Sequence, residues 1–240
     1  MKLLAFDTST ETLSIAVSTG TAAPPLEHTG PGGALASAAL IPAIEALLAQ
    51  AGLALAQLDA IAFGRGPGSF TGLRTSAAVA QGLGFGAGVP VLALDTLLAV
   101  AEEARAVSGE DRIVAILDAR MGEVYFAAYE YLDGAWATRQ APALARPEAV
   151  QVPPGWALAG NALAVHGDLL PTGGARIPAL PTARALLRLA PQALAGGAAH
   201  APAEALPLYI RDKVAQTTEE RAADRARKDL LDGKSAVEPR

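Results

Sequence analysis

The first residues of the chain alternate between apolar and polar positions in a way that predicts a β-hairpin. Residues 3–6 are apolar, the strand predicted at 2–6 ends at Asp7, and residues 13–18 then alternate between apolar and small or polar side chains. A hydrophobic period of two is typical of β-strands, because successive side chains point to opposite faces. The polar residues 8–12 are therefore predicted to form the turn between two strands.

Helical and strand patterns follow this hairpin. Residues 34–51 place their larger apolar side chains on one side of a helix, with a bend expected at Pro42 because proline removes a backbone donor. The other elements predicted in this part of the chain are strands at 59–63 and 89–92 and helices at 75–85 and 96–107, the last of them capped by Asp95.

The opening pattern returns after the polar residues 108–111. An apolar strand is predicted at 112–117, it ends at Asp118, and a second strand is predicted at 124–131. Asp118 follows Asp7 by 111 residues, so the recurrence is at the scale of a domain. The repeat is weak, and by itself it supports an α/β protein with two lobes, each opening with a hairpin.

The repeat divides the chain at about residue 108. We expect a first lobe at 1–108, a smaller second lobe at 109–211 and a charged tail at 212–240 that could form a helix ending at Gly233. The elements predicted in the second half of the chain are a helix start at Pro147, a strand at 156–159 and a helix at 182–194 interrupted by Pro191.

The amino-acid composition limits the classes of protein to which the chain can belong. The chain has 240 residues, of which 51% are hydrophobic, and this is enough apolar material for a substantial core. The formal net charge is −5, and residues 1–210 carry 11 basic and 17 acidic side chains. A surface that binds RNA by neutralising its phosphates needs clustered lysine and arginine, so we expect any contact with RNA to be made through a partner.

Cysteine is absent, which excludes disulfides, thiolate catalysis and cysteine-ligated zinc. Only four apolar residues separate Lys2 from Asp7, too few for a signal peptide. The longest apolar stretch, 34–58, is broken by polar residues and proline, so we expect no membrane span. The sequence therefore predicts a soluble protein of the cytoplasm.

The most informative segment is residues 64–74, GRGPGSFTGLR, between the strand at 59–63 and the helix that follows. It does not match a P-loop, which ends in Gly-Lys-Ser/Thr, or a dinucleotide fingerprint, which would need glycine at position 69. Four glycines, a proline and two hydroxyls exceed what packing alone is expected to require. We call this segment the signature segment; its candidate contact residues are Gly64, Arg65, Gly66, Pro67, Gly68, Ser69, Phe70, Thr71, Gly72 and Arg74.

Two interpretations of the signature segment remain open. Backbone N–H groups between a strand and a helix can bind an anion or a docking partner, and Phe70 and Arg74 suit an interface. Alternatively, the segment is a tight turn in which Ser69 or Thr71 caps the next helix.

Together with two further motifs, the signature segment resembles the TsaB (YeaZ) family. The motifs are residues 7–11, DTSTE, and residues 118–125, DARMGEVY, and the likeness continues to residues 207–211, PLYIR. It therefore covers about the first 211 residues. The resemblance implies a two-lobed actin-like ATPase (ASKHA) fold, the fold of sugar kinases and Hsp70.

The resemblance also implies a function. Members of the family are accessory subunits in the synthesis of N6-threonylcarbamoyladenosine at position 37 of tRNAs that read codons beginning with A. Catalysis belongs to a paralogue of the TsaD type, which works with an ATPase of the TsaE type, and the tRNA is reached through the complex. Without its partner, such a subunit could form a homodimer.

The two hairpin turns are the places where actin-like enzymes hold nucleotide phosphates. Glycine usually lets the phosphate approach there, but this chain has Ser9 and Arg120 at those positions. Each aspartate could cap its turn or bind magnesium. The residues that could lie close to a nucleotide phosphate are Asp7, Thr8, Ser9, Thr10, Asp118 and Arg120.

Neither a metal site nor a catalytic residue is predicted. The three histidines, His28, His166 and His200, lack the close spacing of a helical metal-binding pair, which typifies the catalytic paralogue. No nucleophile has a recognisable setting. We therefore expect a non-catalytic scaffold with no cofactor of its own, although ATP or ADP with magnesium could bind at a subunit interface. The alternatives are an actin-like small-molecule kinase or ATPase and a nucleotide-binding regulator.

The expected contact surface lies in the first lobe. The helix at 34–51 and the helix after Gly72 are rich in small residues, which allow close approach of a partner. Family members often carry a histidine early in the first of these helices, whereas this chain has alanine and serine at 36–39. The contact that such a histidine makes has no counterpart here.

Overall fold

The hairpin at the start of the chain lies inside a five-stranded mixed sheet. We analysed a computed structural model, which describes residues 1–211. Strand order in this first sheet is β3-β2-β1-β4-β5; β1, β2 and β3 are antiparallel neighbours, whereas β4 and β5 run parallel to β1. The strands are β1 (Lys2–Asp7), β2 (Thr12–Thr19), β3 (Leu26–Pro31), β4 (Ala60–Gly66) and β5 (Val91–Asp95).

The second sheet repeats this topology strand for strand. Its order is β8-β7-β6-β9-β10, with β6, β7 and β8 antiparallel and β9 and β10 parallel to β6. The strands are β6 (Arg112–Arg120), β7 (Glu123–Leu132), β8 (Ala135–Ala145), β9 (Ala157–Ala159) and β10 (Arg176–Ile177). The predicted two-lobed actin-like α/β fold, with a hairpin opening each lobe, is therefore confirmed.

Five helices lie in the described part of the chain. Those predicted from the apolar periodicity are present, and Pro42 and Pro191 lie within helices that continue past them. Left-handed glycines end the three helices of the first half: Gly52 (φ 65°), Gly88 (φ 67°) and Gly109 (φ 79°). The helices are α1 (Ala36–Ala51), α2 (Phe70–Ala87), α3 (Thr96–Ser108), α4 (Ala162–His166) and α5 (Ala183–Ala195).

Helices cover both faces of the first sheet. Leu4 and Phe6 of β1 point into a core shared with α1 and α2, whereas Leu3 and Ala5 point into a core shared with α5. Thus α5 packs on the first sheet although it follows the second in sequence, and Ala183 N at its start donates to Ser14 Oγ at 2.9 Å.

Helix α3 connects the two sheets. Its Leu97 and Val100 pack with β6 and β7 of the second sheet, and Ala99 packs in the core of the first. Glu102 of α3 is almost fully buried and accepts from Trp136 Nε1 at 2.8 Å and Arg188 Nε at 2.6 Å. A buried carboxylate bonded on two sides fixes β8 and α5 relative to α3.

The described structure departs from the sequence predictions in several places. Strands β3 and β8 have no predicted counterpart, because they are edge strands with no fully buried side chain and no apolar alternation. The side chain of Asp95 does not cap α3; it pairs instead with Arg65 at 2.6 Å. Pro147 opens only a short 3-10 turn, Pro147–Ala149.

The chain divides into a compact unit, Met1–Ile210, and a second unit, Arg211–Arg240. The predicted tail helix at 212–240 lies outside the described residues, and the boundary near residue 108 stays a prediction. Within residues 1–211, no helix has the length and apolar character that a membrane crossing requires.

Candidate functional site

The signature segment is largely part of regular elements. Gly64–Gly66 end β4, a cis peptide bond joins Gly66 to Pro67, and α2 begins at Phe70, five residues earlier than predicted. Ser69 is the N-cap of α2, and its Oγ accepts from Gly72 N at 3.5 Å. Only the short turn between Gly66 and Phe70 is a loop.

Three glycines of the signature segment pack against the turn that follows β1. A Cβ added to Gly64 would lie 1.7 Å from Asp7 Oδ2, and one added to Gly72 would lie 1.8 Å from Thr8 O. A Cβ at Gly68 would lie 2.6 Å from Ser9 O.

Hydrogen bonds close the same contact. Ser69 N donates to Ser9 O at 2.7 Å, and Thr8 Oγ1 donates to Gly72 O at 2.7 Å. The expectation that packing alone does not require these glycines is therefore corrected. They allow two backbone segments to touch where any side chain would separate them.

Asp7 lies at the centre of this contact and has no exposed surface. Its Oδ1 accepts from Ser9 N at 2.8 Å and from Ser9 Oγ at 2.5 Å, and its Oδ2 accepts from Thr96 Oγ1 at 3.3 Å. Burial raises the pKa of the Asp7 carboxyl to about 6, although these hydrogen bonds lower it. Both oxygens of Asp7 are thus engaged by the protein itself.

The second hairpin turn is closed in a different way. Asp118 Oδ1 accepts from Arg120 N at 3.0 Å and lies 3.0 Å from His166 Nε2, and Asp118 N donates to Asn161 Oδ1 at 3.0 Å. The guanidinium of Arg120 is 3.5 Å from Asp118 Oδ2. Sequence reasoning missed the partnership with His166 and Asn161, because they lie 48 and 43 residues away and carry no local signal.

We tested whether these two turns fit a magnesium-bound phosphate. Asp7 is enclosed by protein groups, Thr10 Oγ1 is bonded within its own turn to Thr12 N at 3.2 Å, and Arg120 neutralises Asp118. No cluster of three or more potential metal ligands occurs in residues 1–211. In this conformation the donor groups of both turns do not fit a magnesium–phosphate group.

The solvent-facing end of the signature segment carries an aromatic and cationic cluster. The guanidinium carbon of Arg74 lies 3.8 Å from the centroid of the Phe70 ring, and Arg74 Nε donates to Tyr209 Oη at 3.1 Å. The two rings are 5.4 Å apart and are 38% and 46% exposed. We call Phe70, Arg74 and Tyr209 the Arg74 cluster. Arg65 does not join it, because it pairs with Asp95.

The outer side of α2 continues from this cluster as a strip of small residues. Ala78 and Gly82 are exposed, four and eight residues after Arg74, and Phe85 follows with 64% of its surface exposed. A Cβ added to Gly82 or Gly86 would have no atom within 4 Å. These two glycines therefore have no packing reason within the described structure, in contrast to Gly72 on the same helix.

This contrast predicts opposite effects of alanine at two positions of one helix. Gly72→Ala should destabilise the fold by about 2 kcal/mol or more, because the new Cβ overlaps Thr8 O. Gly82→Ala, the matched control, should stabilise it by about 0.5–1 kcal/mol, because alanine has the higher helix propensity. Urea unfolding at one dilute protein concentration measures both. Equal effects at the two positions would contradict the contact with the turn.

The buried Asp7 predicts a pH-dependent stability. Its folded pKa of about 6 exceeds the ordinary value of 3.8, so its contribution is complete below about pH 4 and is lost as the pH rises through 6. The loss should be about 3 kcal/mol. Relative to wild type, Asp7→Asn should therefore gain stability between pH 4 and pH 7 in chemical denaturation. The exposed Asp168→Asn is the control, and parallel curves for wild type and Asp7→Asn would refute the prediction.

Comparison with known proteins places the chain among proteins of one tRNA modification. A family profile described as "TsaD: tRNA N6-adenosine threonylcarbamoyltransferase" matches residues 34–224. The Escherichia coli K12 protein named "tRNA threonylcarbamoyladenosine biosynthesis protein TsaB" is 36% identical over 90% of this chain and 96% of its own length. A Haemophilus influenzae protein of the same name is 44% identical over 52% of each chain.

A solved structure agrees with these relatives. The structure titled "YeaZ from Pseudomonas aeruginosa" superposes with a TM-score of 0.80 at 39% identity, covering 87% of this chain and 99% of that one. The matched profile carries the description of the transferase, whereas both curated relatives carry the TsaB name. On its long match to the curated relative and the superposition, the chain belongs to the TsaB (YeaZ) family.

Proposed function

We propose that this chain is a non-catalytic scaffold subunit for N6-threonylcarbamoyladenosine formation at position 37 of tRNAs that read codons beginning with A. Membership of the TsaB family links it to that modification. The single observation that carries the scaffold role is the outer strip of α2, where glycines without an internal packing role lie beside exposed apolar side chains. Such a surface suits close packing against another helix.

The two hairpin turns favour a non-catalytic role. An actin-like phosphotransferase needs carboxylates that can reach magnesium and a backbone that admits phosphate. Asp7 has no exposed surface, and the space beside it is filled by Gly64. Asp118 is shared between Arg120 and His166. These contacts favour the scaffold over the kinase, ATPase and nucleotide-regulator alternatives.

The partner that best suits the strip is a catalytic actin-like paralogue of the TsaD type. Glycine in a helix interior costs about 0.5–1 kcal/mol of stability relative to alanine. Within the described structure, no close contact at Gly82 or Gly86 offsets this cost. A partner helix that approaches closely would offset this cost. Phe85 of α2 adds exposed apolar area to the strip, and Ile41 of α1 is also exposed. The strip could also form a homodimer when the paralogue is absent.

The other components are proposed from the chain's charge and family. Residues 1–210 carry an excess of acidic side chains, so tRNA would be bound through the complex rather than by this subunit. An ATPase of the TsaE type would complete the assembly. ATP or ADP with magnesium would bind at a junction between subunits rather than in the turns of this chain.

A drop-out reconstitution tests the function. Purified paralogue, its ATPase partner, the threonylcarbamoyl-adenylate synthase, substrates and tRNA are combined with and without this chain, and the modified nucleoside is measured by mass spectrometry. We expect modification to require the chain. Asp7→Asn should retain it within about twofold, whereas a phosphotransferase would lose nearly all turnover. Equal modification without the chain would overturn the proposal.

A charged side chain on the α2 strip should weaken the complex with the paralogue. Ala78→Arg places a long cation on the exposed side of α2, and we expect it to raise the Kd for the paralogue at least tenfold because the guanidinium would be desolvated without a partner. Ala106→Arg, at an exposed position of α3, is the matched control and should leave the Kd unchanged. Gel filtration and calorimetry measure both. A complex that survives Ala78→Arg intact would rule out this surface.

A further inference from the structure

The Arg74 cluster has the properties of a preformed anion-binding anchor. The guanidinium of Arg74 is stacked on Phe70 and is held at Nε by Tyr209 Oη. Both restraints come from partly exposed aromatic residues that are themselves in ring contact. A side chain fixed in this way loses less conformational entropy when it binds than a free arginine does.

Arg74 also lacks a counter-charge within residues 1–211. No carboxylate of residues 1–211 lies within ion-pair distance of it, although most other arginines of the unit have one. Its Nε is used by Tyr209, and the described residues give its two Nη groups no hydrogen-bond partner. Helix α2 has no acidic residue in its first turn, so nothing there offsets the positive end of the helix dipole. The free Nη pair suits bidentate contact with a carboxylate.

The surroundings favour a protein carboxylate over a nucleic-acid phosphate. A phosphate backbone is bound by clustered basic residues. Arg74 instead lies on a unit in which 17 acidic side chains outnumber 11 basic ones. Arginine beside exposed aromatic residues is the typical composition of a protein–protein hot spot. Arg74 is also continuous with the α2 strip, since Ala78 lies one helical turn further on.

We infer that the Arg74 cluster binds an acidic side chain of the actin-like paralogue and is the electrostatic anchor of that complex. This inference rests on the proposed function, because it requires the pairing. It goes further by assigning the recognition of a carboxylate to three named residues, one of which, Tyr209, comes from the segment after α5. The small-residue strip then supplies close packing, and the cluster supplies orientation and charge selection.

Titration of the paralogue against variants of this chain at low and high salt tests the inference. We expect Arg74→Ala to raise the Kd at least tenfold at low salt and to remove most of the salt dependence seen with wild type. Arg74→Lys should recover only a small part, since lysine cannot stack on Phe70 or bind bidentately. Tyr209→Phe should raise the Kd about threefold by releasing Nε. Arg146→Ala, which removes an exposed arginine that has no ion pair within residues 1–211, is the control.

The outcomes separate the inference from the proposal on which it rests. If wild type does not bind the paralogue, the proposed function itself fails. If wild type binds and Arg74→Ala binds within twofold of it at both salt concentrations, only the Arg74 cluster is refuted. A lower Tm with an unchanged Kd would show that the cluster merely ties Tyr209 to α2. Loss of the homodimer alone would identify a second copy, rather than the paralogue, as the occupant.

Discussion

The contact between the turn after β1 and the start of α2 determines how the rest of the first lobe is arranged. Gly68 and Gly72 bring backbone against backbone there, Gly64 packs on the Asp7 carboxylate, and Asp7 has no exposed surface. Because Gly64 ends β4 and Gly72 opens α2, the contact fixes where the strand stops and which way the helix leaves. The outer side of α2 is left exposed as a consequence of this inner packing.

The same contact explains why the first turn, in this conformation, does not fit a magnesium-bound phosphate. In the first turn, the protein's own backbone occupies the side from which a phosphate would approach. The Asp7 carboxylate accepts hydrogen bonds from Ser9 and Thr96. Enclosing Asp7 is unfavourable at neutral pH, because burial raises its pKa to about 6. The fold nevertheless keeps the residue, since its oxygens organise the turn on which the glycines pack.

Much of this architecture could be predicted from the sequence, and there are physical reasons why the rest could not. The recurrence of strand and aspartate at Asp7 and Asp118 predicted two lobes, and the sheets repeat strand for strand. Strands β3 and β8 were not predicted, because these edge strands bury no side chain and their apolar and polar residues do not alternate. The role of Gly72 could not be deduced, since the atom that excludes a side chain there, Thr8 O, is 64 residues away.

Helix α2 therefore contains two kinds of glycine that composition cannot distinguish. Gly72 faces inward and any side chain would collide with the β1 turn, whereas Gly82 faces outward with open space around it. Both carry the same entropic penalty in a helix, but only the first is compensated within the described chain. This uncompensated penalty lies on an exposed face next to Arg74, which has no carboxylate of residues 1–211 within ion-pair distance. The inner face of α2 thus serves folding, and the outer face is the one that we propose for assembly.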